Sequence, residues 1–190
     1  MQADYAVELG RDDLALELPW RSEGGSARYY DLKRNPELTT QIPEAIGALE
    51  LNAFLTRINA PAFPLATAKC DRWFTTELTE EEEIFGAAGK FVSYVDLVFS
   101  GDGPRSSLEK HESLARSLCE LLKRAPEMAA SIELVIRRCY FHIDEAAEES
   151  QDGYAITAYV SGFGDEEQEA RKRWSIALTL LQHALVQSVR

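Results

Sequence analysis

The sequence predicts an α+β protein, a two-layer α/β sandwich with helices packed on one face of a mainly antiparallel mixed sheet. Residues 65–99 and 131–160 each contain two segments that alternate apolar and polar residues, a pattern typical of half-buried strand pairs. A segment with helical apolar periodicity follows each pair. The chain therefore resembles a repeated strand–strand–helix unit, with possible copies at residues 65–125 and 131–189.

Length and composition favour a single domain over residues 1–190. The chain is 45% hydrophobic and 27% charged, the usual balance of a globular protein with a sizeable core. No apolar run approaches the ~20 residues that a membrane-spanning helix needs. The N-terminal stretch MQADYAVELG lacks the basic and apolar regions of a secretory signal. We therefore expect no membrane partner.

Charge and cysteine content limit the partners and the compartment. The formal net charge is −12, from 32 acidic and 20 basic residues, and such an acidic chain repels a phosphate backbone. Nucleic acid is therefore not an expected partner. The three cysteines, Cys70, Cys119 and Cys139, are widely spaced and form no CxxC pair. An odd number of free thiols favours a reducing compartment, so we expect a cytoplasmic protein.

The N-terminal part of the chain, residues 14–60, predicts a hairpin followed by a helix. Residues 14–20 alternate like a strand, RSEGGS is a turn, and residues 27–32 are the candidate return strand. Residues 43–59 predict a helix, because they carry an apolar stripe and begin with a proline, which suits the first helical turn.

The first repeat unit predicts strands over residues 65–78 and 90–99 and a helix that begins near Ser107. On the second strand, alternation turns Phe91 and Val95 towards the core and Tyr94 away from it. Strict alternation along the first strand divides it into two faces. One face carries Ala66, Ala68, Cys70, Arg72 and Phe74, and the other carries Leu65, Thr67, Lys69, Asp71, Trp73 and Thr75.

The second unit predicts a strand over residues 132–143, an acidic loop at 144–152, a strand at 154–160 and a helix at 165–189. The helix is the most regular segment of the chain, with acidic residues at its start that complement the helix dipole. Its apolar stripe is wide, which indicates burial on more than one side.

The order of the predicted elements from residue 27 contains β-α-β-β-α-β, which resembles the order of a ferredoxin-like fold. Right-handed crossovers would place both crossover helices on one face of the sheet. The tetrapeptides SGDG at 100–103 and SGFG at 161–164 occupy equivalent positions between strand and helix, which supports the repeat. This resemblance concerns element order alone and carries no function.

The sheet face away from the helices is the main candidate for a functional site. It should present Tyr94 and Asp96, and Asp71 and Trp73 can join them. Tryptophan, tyrosine and arginine dominate the hot spots of protein interfaces, so such a face is either a binding surface or a subunit interface.

The strand that begins near residue 131 can contribute to this face in two orientations. It presents either Arg138, Tyr140 and His142 or Arg137, Cys139 and Phe141, because its apolar pattern breaks at Arg138 and His142. Both orientations stay open. The ligand or interface candidates are therefore Asp71, Trp73, Tyr94, Asp96, Arg137, Arg138, Tyr140 and His142.

Other site chemistries receive little support from the sequence. Cys139 and His142 point to opposite faces of one strand, which disfavours a shared metal ion. His111 and Glu112 lack the second histidine of HExxH, GxSxG is missing, and the glycine turns match no phosphate-binding loop. We therefore predict neither a metal nor a cofactor, assign no catalytic residue, and leave open whether the protein is an enzyme.

These patterns favour a non-catalytic binding or assembly module that uses the polar sheet face, with a homodimer or another protein as the partner. The alternative is a small-ligand-binding protein or an enzyme with a pocket on the same face. A third hypothesis is a regulatory partner of a basic protein, which would contact the glutamates at residues 80–83 and the acidic loop at 144–152.

Overall fold

The computed structural model describes residues 1–22, 28–142 and 150–189, so most of the predicted loop at 144–152 lies outside the described residues. The strands are β1 (Gln2–Glu8), β2 (Leu16–Leu18), β3 (Leu65–Thr75), β4 (Gly89–Phe99), β5 (Ala130–His142) and β6 (Ser150–Gly164). The α-helices are α1 (Leu49–Ile58), α2 (Asp102–Arg105), α3 (Leu108–Leu122) and α4 (Glu167–Ser188). Short 3₁₀ turns occupy Pro36–Gln41, Pro43–Ala45 and Glu82–Phe85.

The strands form one mixed sheet with the order β1-β5-β6-β4-β3, which confirms the α+β class. Successive strands from β5 to β3 pair antiparallel. β1 and β2 both run parallel to β5 and lie one after the other along its outer edge. The longest pairing joins β5 to β6, from Ala130 opposite Gly162 to His142 opposite Ser150. This long hairpin is the centre of the sheet.

The ferredoxin-like order and the internal repeat are not confirmed. Within the described residues, the predicted return strand at 27–32 contributes only an isolated bridge between Arg28 and Arg21, and β2 pairs with β5 instead. The edge beside β5 is also occupied by β1, a strand that the predicted order lacks. Ala3 and Tyr5 alternate with the polar residues Gln2 and Asp4, and this short alternation, which Ala6 interrupts, is the signal that could have found it.

The predicted turn at residues 161–164 is wrong, because these residues continue β6 as far as Gly164. A Cβ atom added to Gly162 would overlap with the backbone of Ala170 and Trp174 in α4. The glycine therefore allows the strand and the helix to approach closely, a use of glycine that sequence alone does not separate from a turn. The other tetrapeptide runs into α2, so the two are not equivalent.

α1, α3 and α4 pack together against one face of the sheet and form the main core with it. Trp174 of α4 is fully buried at its centre. Its Nε1 donates a hydrogen bond to Ser93 Oγ at 2.8 Å, and its ring centroid lies 4.9 Å from that of Phe91. Val95 and Leu97 join the same core, as the alternation in β4 predicts.

The first long helix begins at Leu49 rather than at residue 43. Pro43–Ala45 forms a separate 3₁₀ turn. Gly47 follows with a φ of 72°, a left-handed conformation that a right-handed helix does not accommodate. The proline therefore begins a short turn, and the glycine separates this turn from the helix.

Replacing Gly162 by alanine should destabilise the protein, because the new Cβ would force β6 and α4 apart. We expect the free energy of unfolding, measured by urea denaturation, to fall by about 2–4 kcal/mol. Gly103→Ala is the matched control, since no heavy atom lies within 4 Å of the new Cβ there. It should not lower the free energy of unfolding, and equal losses in the two variants would contradict this packing.

Candidate binding face

A β-bulge in β3 decides which of its residues reach the sheet face opposite the helices. The pairing with β4 shifts between Thr67 and Cys70, so the strict alternation predicted along the whole strand is wrong. Leu65 is buried in the main core on the helical side. Beyond the bulge, Asp71 and Trp73 pair with residues of β4 that face away from the helices.

The orientation of β5, which the sequence left open, turns Arg137 towards the same face. Ile132, Leu134 and Ile136 are buried in the main core, and neighbouring residues of a strand point to opposite faces. The predicted candidates that share the face away from the helices are Asp71, Trp73, Tyr94, Asp96 and Arg137.

The other predicted candidates, Arg138, Tyr140 and His142, lie on the opposite side of β5. Arg138 Nη2 donates to the carbonyl oxygen of Leu9 at 2.9 Å. His142 Nε2 lies 3.8 Å from a carboxylate oxygen of Glu17. These contacts attach the segment around β2 to β5, so the structure does not bring the three residues together with the other candidates.

A buried hydrogen-bonded network holds the centre of the face away from the helices. Arg137 is 8% exposed and Asp96 is 2% exposed. Arg137 donates from Nη1 to Thr157 Oγ1 at 3.3 Å and to the Tyr159 hydroxyl at 3.1 Å. It also donates from Nε to Glu8 Oε2 at 3.1 Å. Thr157 Oγ1 in turn donates to Asp96 Oδ1 at 2.6 Å, so the network joins β1, β4, β5 and β6.

Burial raises the pKa of Asp96 to about 6, although the hydrogen bond from Thr157 and the charges of Arg137 and Lys69 act in the opposite direction. A carboxyl group with this pKa changes its charge just below neutral pH. Because the side chain is almost completely enclosed, its protonation acts mainly on the stability of the sheet.

Three aromatic rings, those of Trp73, Tyr94 and Tyr159, form a row across this face. Their successive centroids lie 6.4 Å and 6.0 Å apart. The guanidinium carbon of Arg137 lies 5.6 Å from the Tyr159 centroid, a cation–π contact. Trp73 is 40% exposed at the end of the aromatic row. The row is thus held at one end by the buried network and is accessible at the other.

Sequence reasoning missed Thr157, Tyr159 and Glu8. Thr157 lies opposite Asp96 and Tyr159 lies opposite Tyr94 in the pairing of β4 with β6. Alternation marks Thr157 and Tyr159 as residues of one face, but it does not reveal which residues of the neighbouring strand they meet. Glu8 belongs to β1, which was not predicted.

Two segments cover the ends of this face. At one end, β2 encloses a small second core in which Leu18 contacts apolar residues of the sheet. At the other end, Phe85 stacks on Phe163 with centroids 4.0 Å apart, and Lys90 pairs with Glu82 at 2.6 Å. The middle of the face is left uncovered by these two segments, and we call this part the polar face. Its residues are Asp71, Trp73, Tyr94, Asp96, Arg137, Thr157 and Tyr159.

Carboxylates surround the polar face on its β1–β5 side. Asp4 and Glu8 of β1 lie beside Glu133 of β5. Burial raises the pKa of Glu133, and the negative charges of Asp4 and Glu8 raise it further. Arg137, whose charge acts to lower the pKa of Glu133, is already paired with Glu8. The surroundings of the polar face are therefore acidic.

The cysteines provide no reactive group at this face. All three are free thiols. Burial raises the pKa of Cys70 and of Cys139 to about 12, and that of Cys119 to about 11, which keeps them protonated and weakly nucleophilic. Among the residues that the structure describes, no three His, Cys, Asp or Glu side chains converge as a metal site would require.

The comparisons with known proteins give no match: no protein-family model, curated protein or solved structure is significantly similar to this chain. Across residues 1–22, 28–142 and 150–189, none of the helices combines the length and the apolar character needed to cross a membrane.

Asp96→Asn should change the pH dependence of stability. The pKa of Asp96 is raised from 3.8 to about 6 in the folded protein, so the charged carboxyl destabilises the fold increasingly as the pH rises through that interval. Asparagine stays neutral, so the cost of burying a charge does not arise in the variant. As the pH rises from about 4 to about 7, the difference in unfolding free energy between the variant and the wild type should shift in favour of the variant by about 2–3 kcal/mol. Urea denaturation at several pH values measures this difference.

Asp71→Asn is the control for this measurement, because Asp71 is an exposed carboxylate on the same face. A gain of the same size in Asp71→Asn would show that the loss of a negative charge, and not the burial of Asp96, is responsible. A difference between Asp96→Asn and the wild type that stays constant over the whole interval would contradict the assigned effect of burial.

Proposed function

We propose that this chain is a non-catalytic binding module that docks a protein partner on its polar face. The observation that carries the proposal is the aromatic row, in which Trp73 is 40% exposed while Tyr159 is held by a hydrogen bond from Arg137. Such side chains supply most of the binding energy at protein interfaces. Rings that are already positioned lose little conformational entropy when a partner binds.

The chemistry around the aromatic row favours a partner that supplies lysine or arginine. Within the chain, Arg137 already lies over the Tyr159 ring and pairs with the carboxylate of Glu8. Tyr94 and Asp71, which lie opposite each other on β4 and β3, offer a similar combination of ring and carboxylate to a cation of a partner. A basic side chain of a partner would therefore find both contacts on the exposed part of the polar face.

The glutamates at residues 80–83 support the same type of partner. Glu82 lies at the covered end of the sheet face, where it pairs with Lys90, and the charge of Glu81 contributes to the raised pKa of Glu133. Negative charge thus extends from the sheet to this segment. Such a field would speed the association of a basic partner and make it dependent on salt.

A second copy of the chain, the homodimer expected from the sequence, is the other candidate partner. Packing two polar faces against each other would bring like charges together around Asp4, Asp71 and Glu133. Juxtaposed like charges disfavour association. We therefore place a basic protein ahead of a second copy.

One observation favours a small-ligand site or an enzyme as the second candidate function. The raised pKa of Asp96, about 6, lies in the range in which a carboxyl group serves as a general acid or base. Two features weigh against this role, since Asp96 is 2% exposed and Arg137 donates to groups of the protein itself. An activity that is lost in Asp96→Asn but kept in Trp73→Ala would favour the second candidate.

Trp73→Ala should weaken capture of the partner by at least about tenfold, the loss expected for a hot-spot aromatic residue. The measurement is quantitative affinity capture from an extract of the source cells with immobilised wild type, Trp73→Ala and Tyr94→Ala. Ile176→Ala on α4 is the matched control, because Ile176 is 45% exposed on the helical side. It should capture the partner as the wild type does.

Sedimentation velocity of the purified proteins distinguishes the two kinds of partner. A dimer that dissociates in Trp73→Ala identifies a second copy. A monomer that retains a basic protein, released by high salt, identifies a different partner. Equal capture by all four proteins, together with an unchanged oligomeric state, would contradict the proposed function.

A further inference from the structure

A separate cavity of about 130 Å³ lies at the β3 edge of the sheet, next to the bulge in β3. Trp20 and Tyr30, from the chain that follows β2, form one side of the cavity, and Ala68 and Cys70 of β3 form another. The indole Nε1 of Trp20 donates to the carbonyl oxygen of Ala68 at 2.8 Å. The bulge and the crossing chain thus enclose the space between them.

Hydrogen bonds fix two parts of the cavity wall. Lys33 Nζ donates to the carbonyl oxygens of Phe63 and Leu65 at 2.5 Å and 2.7 Å, which anchors the chain after Tyr30. Asn59 donates from Nδ2 to Thr67 Oγ1 at 2.7 Å and accepts from Thr67 N at 3.0 Å, which anchors the start of the bulge. A preformed cavity of this kind is typical of small-molecule sites.

The cavity combines an apolar floor with cations. Leu32 and Leu55 line it and are almost completely buried. Arg28 and Lys69 also line it, and each lies over an aromatic ring of the wall, at 5.5 Å and 5.3 Å from the ring centroid. Within the described part of the chain, no ion pair joins either cation to a carboxylate. An anionic group would therefore find both cations available.

Two further residues of the wall limit what the cavity can hold. Glu44 lines it as well, so the wall carries two cations and one carboxylate. Cys70 is a neutral thiol at physiological pH, because burial raises its pKa to about 12, and it contributes soft apolar surface. The balance of charge favours an anion over a cation, and no covalent chemistry is expected from the thiol.

We propose that this cavity binds a small monocyclic carboxylate of about the size of benzoate. An engineered cavity of about 150 Å³ in another protein admits one benzene ring, so a cavity of about 130 Å³ matches one six-membered ring better than a fused pair. The ring would occupy the apolar floor, and the carboxylate would lie at Arg28 and Lys69. This site is independent of the proposed docking of a protein on the polar face.

Nuclear magnetic resonance of the tryptophan indole N–H groups tests the proposal. The chain has three tryptophans: Trp20 at the cavity, Trp73 on the polar face and Trp174 in the main core. Trp20→Phe and Trp73→Phe assign the signals. Titration with benzoate at constant ionic strength should shift the Trp20 signal saturably, with a dissociation constant of about 1 mM, and should leave the Trp73 signal in place.

Charge variants of the wall should move the affinity for benzoate in opposite directions. Lys69→Met removes a cation while keeping an apolar stem over Trp20, and should weaken binding about threefold to tenfold. Glu44→Gln removes the competing carboxylate and should tighten binding. Lys110→Met, on the exposed surface of α3, is the matched control and should have no effect.

Three probes of related shape complete the test. Benzyl alcohol should bind more weakly than benzoate, benzylamine more weakly still, and 2-naphthoate should also bind more weakly than benzoate. The proposal would be overturned by the absence of a saturable Trp20 shift, by binding of benzylamine as tight as that of benzoate, or by affinities that do not respond to Lys69→Met. A shift of Trp73 alone would also overturn it and would place the anion on the polar face.

Discussion

The carboxyl group of Asp96 lies in the middle of the sheet, where an uncompensated charge is too costly to persist. Its hydrogen bond from Thr157 connects it to Arg137, which is itself buried and paired with Glu8. These three partners and Asp96 itself come from four strands, so satisfying one buried carboxyl requires the register of β1, β5, β6 and β4 to be correct. The same arginine holds the Tyr159 hydroxyl, and through it the network positions one end of the aromatic row.

The part of the sheet that can bind a partner is the part that the rest of the chain leaves uncovered. The helices bury one side of the sheet around Trp174, while β2 and the turn that contains Phe85 cover the two ends of the other side. The bulge between Thr67 and Cys70 then has two effects. It turns Asp71 and Trp73 towards the polar face, and it forms one wall of the neighbouring cavity. One irregularity in β3 thus connects the two surfaces to which we assign binding.

Much of the architecture was predictable because alternation and helical periodicity report burial directly. The strands that became β3 to β6 and the helix that became α4 were located within a few residues of their observed bounds. Features that depend on contacts distant in sequence were not predictable. The bulge, the parallel edge strand β1 and the glycine packing at Gly162 all require knowledge of a neighbouring element. For the same reason, Asp96 and Arg137 were recognised as candidates, whereas Thr157, which connects them, was not.

The central claim is that Asp96 and Arg137 act as one buried unit that organises the polar face. A double-mutant cycle with Asp96→Asn and Arg137→Met measures this most directly, by comparing the unfolding free energies of the wild type, the two single variants and the double variant at neutral pH. We predict that the two changes are coupled by at least about 1 kcal/mol, because each removes part of one hydrogen-bonded network. Effects that add within about 0.3–0.5 kcal/mol would show that the two residues act independently, and they would contradict this account of the polar face.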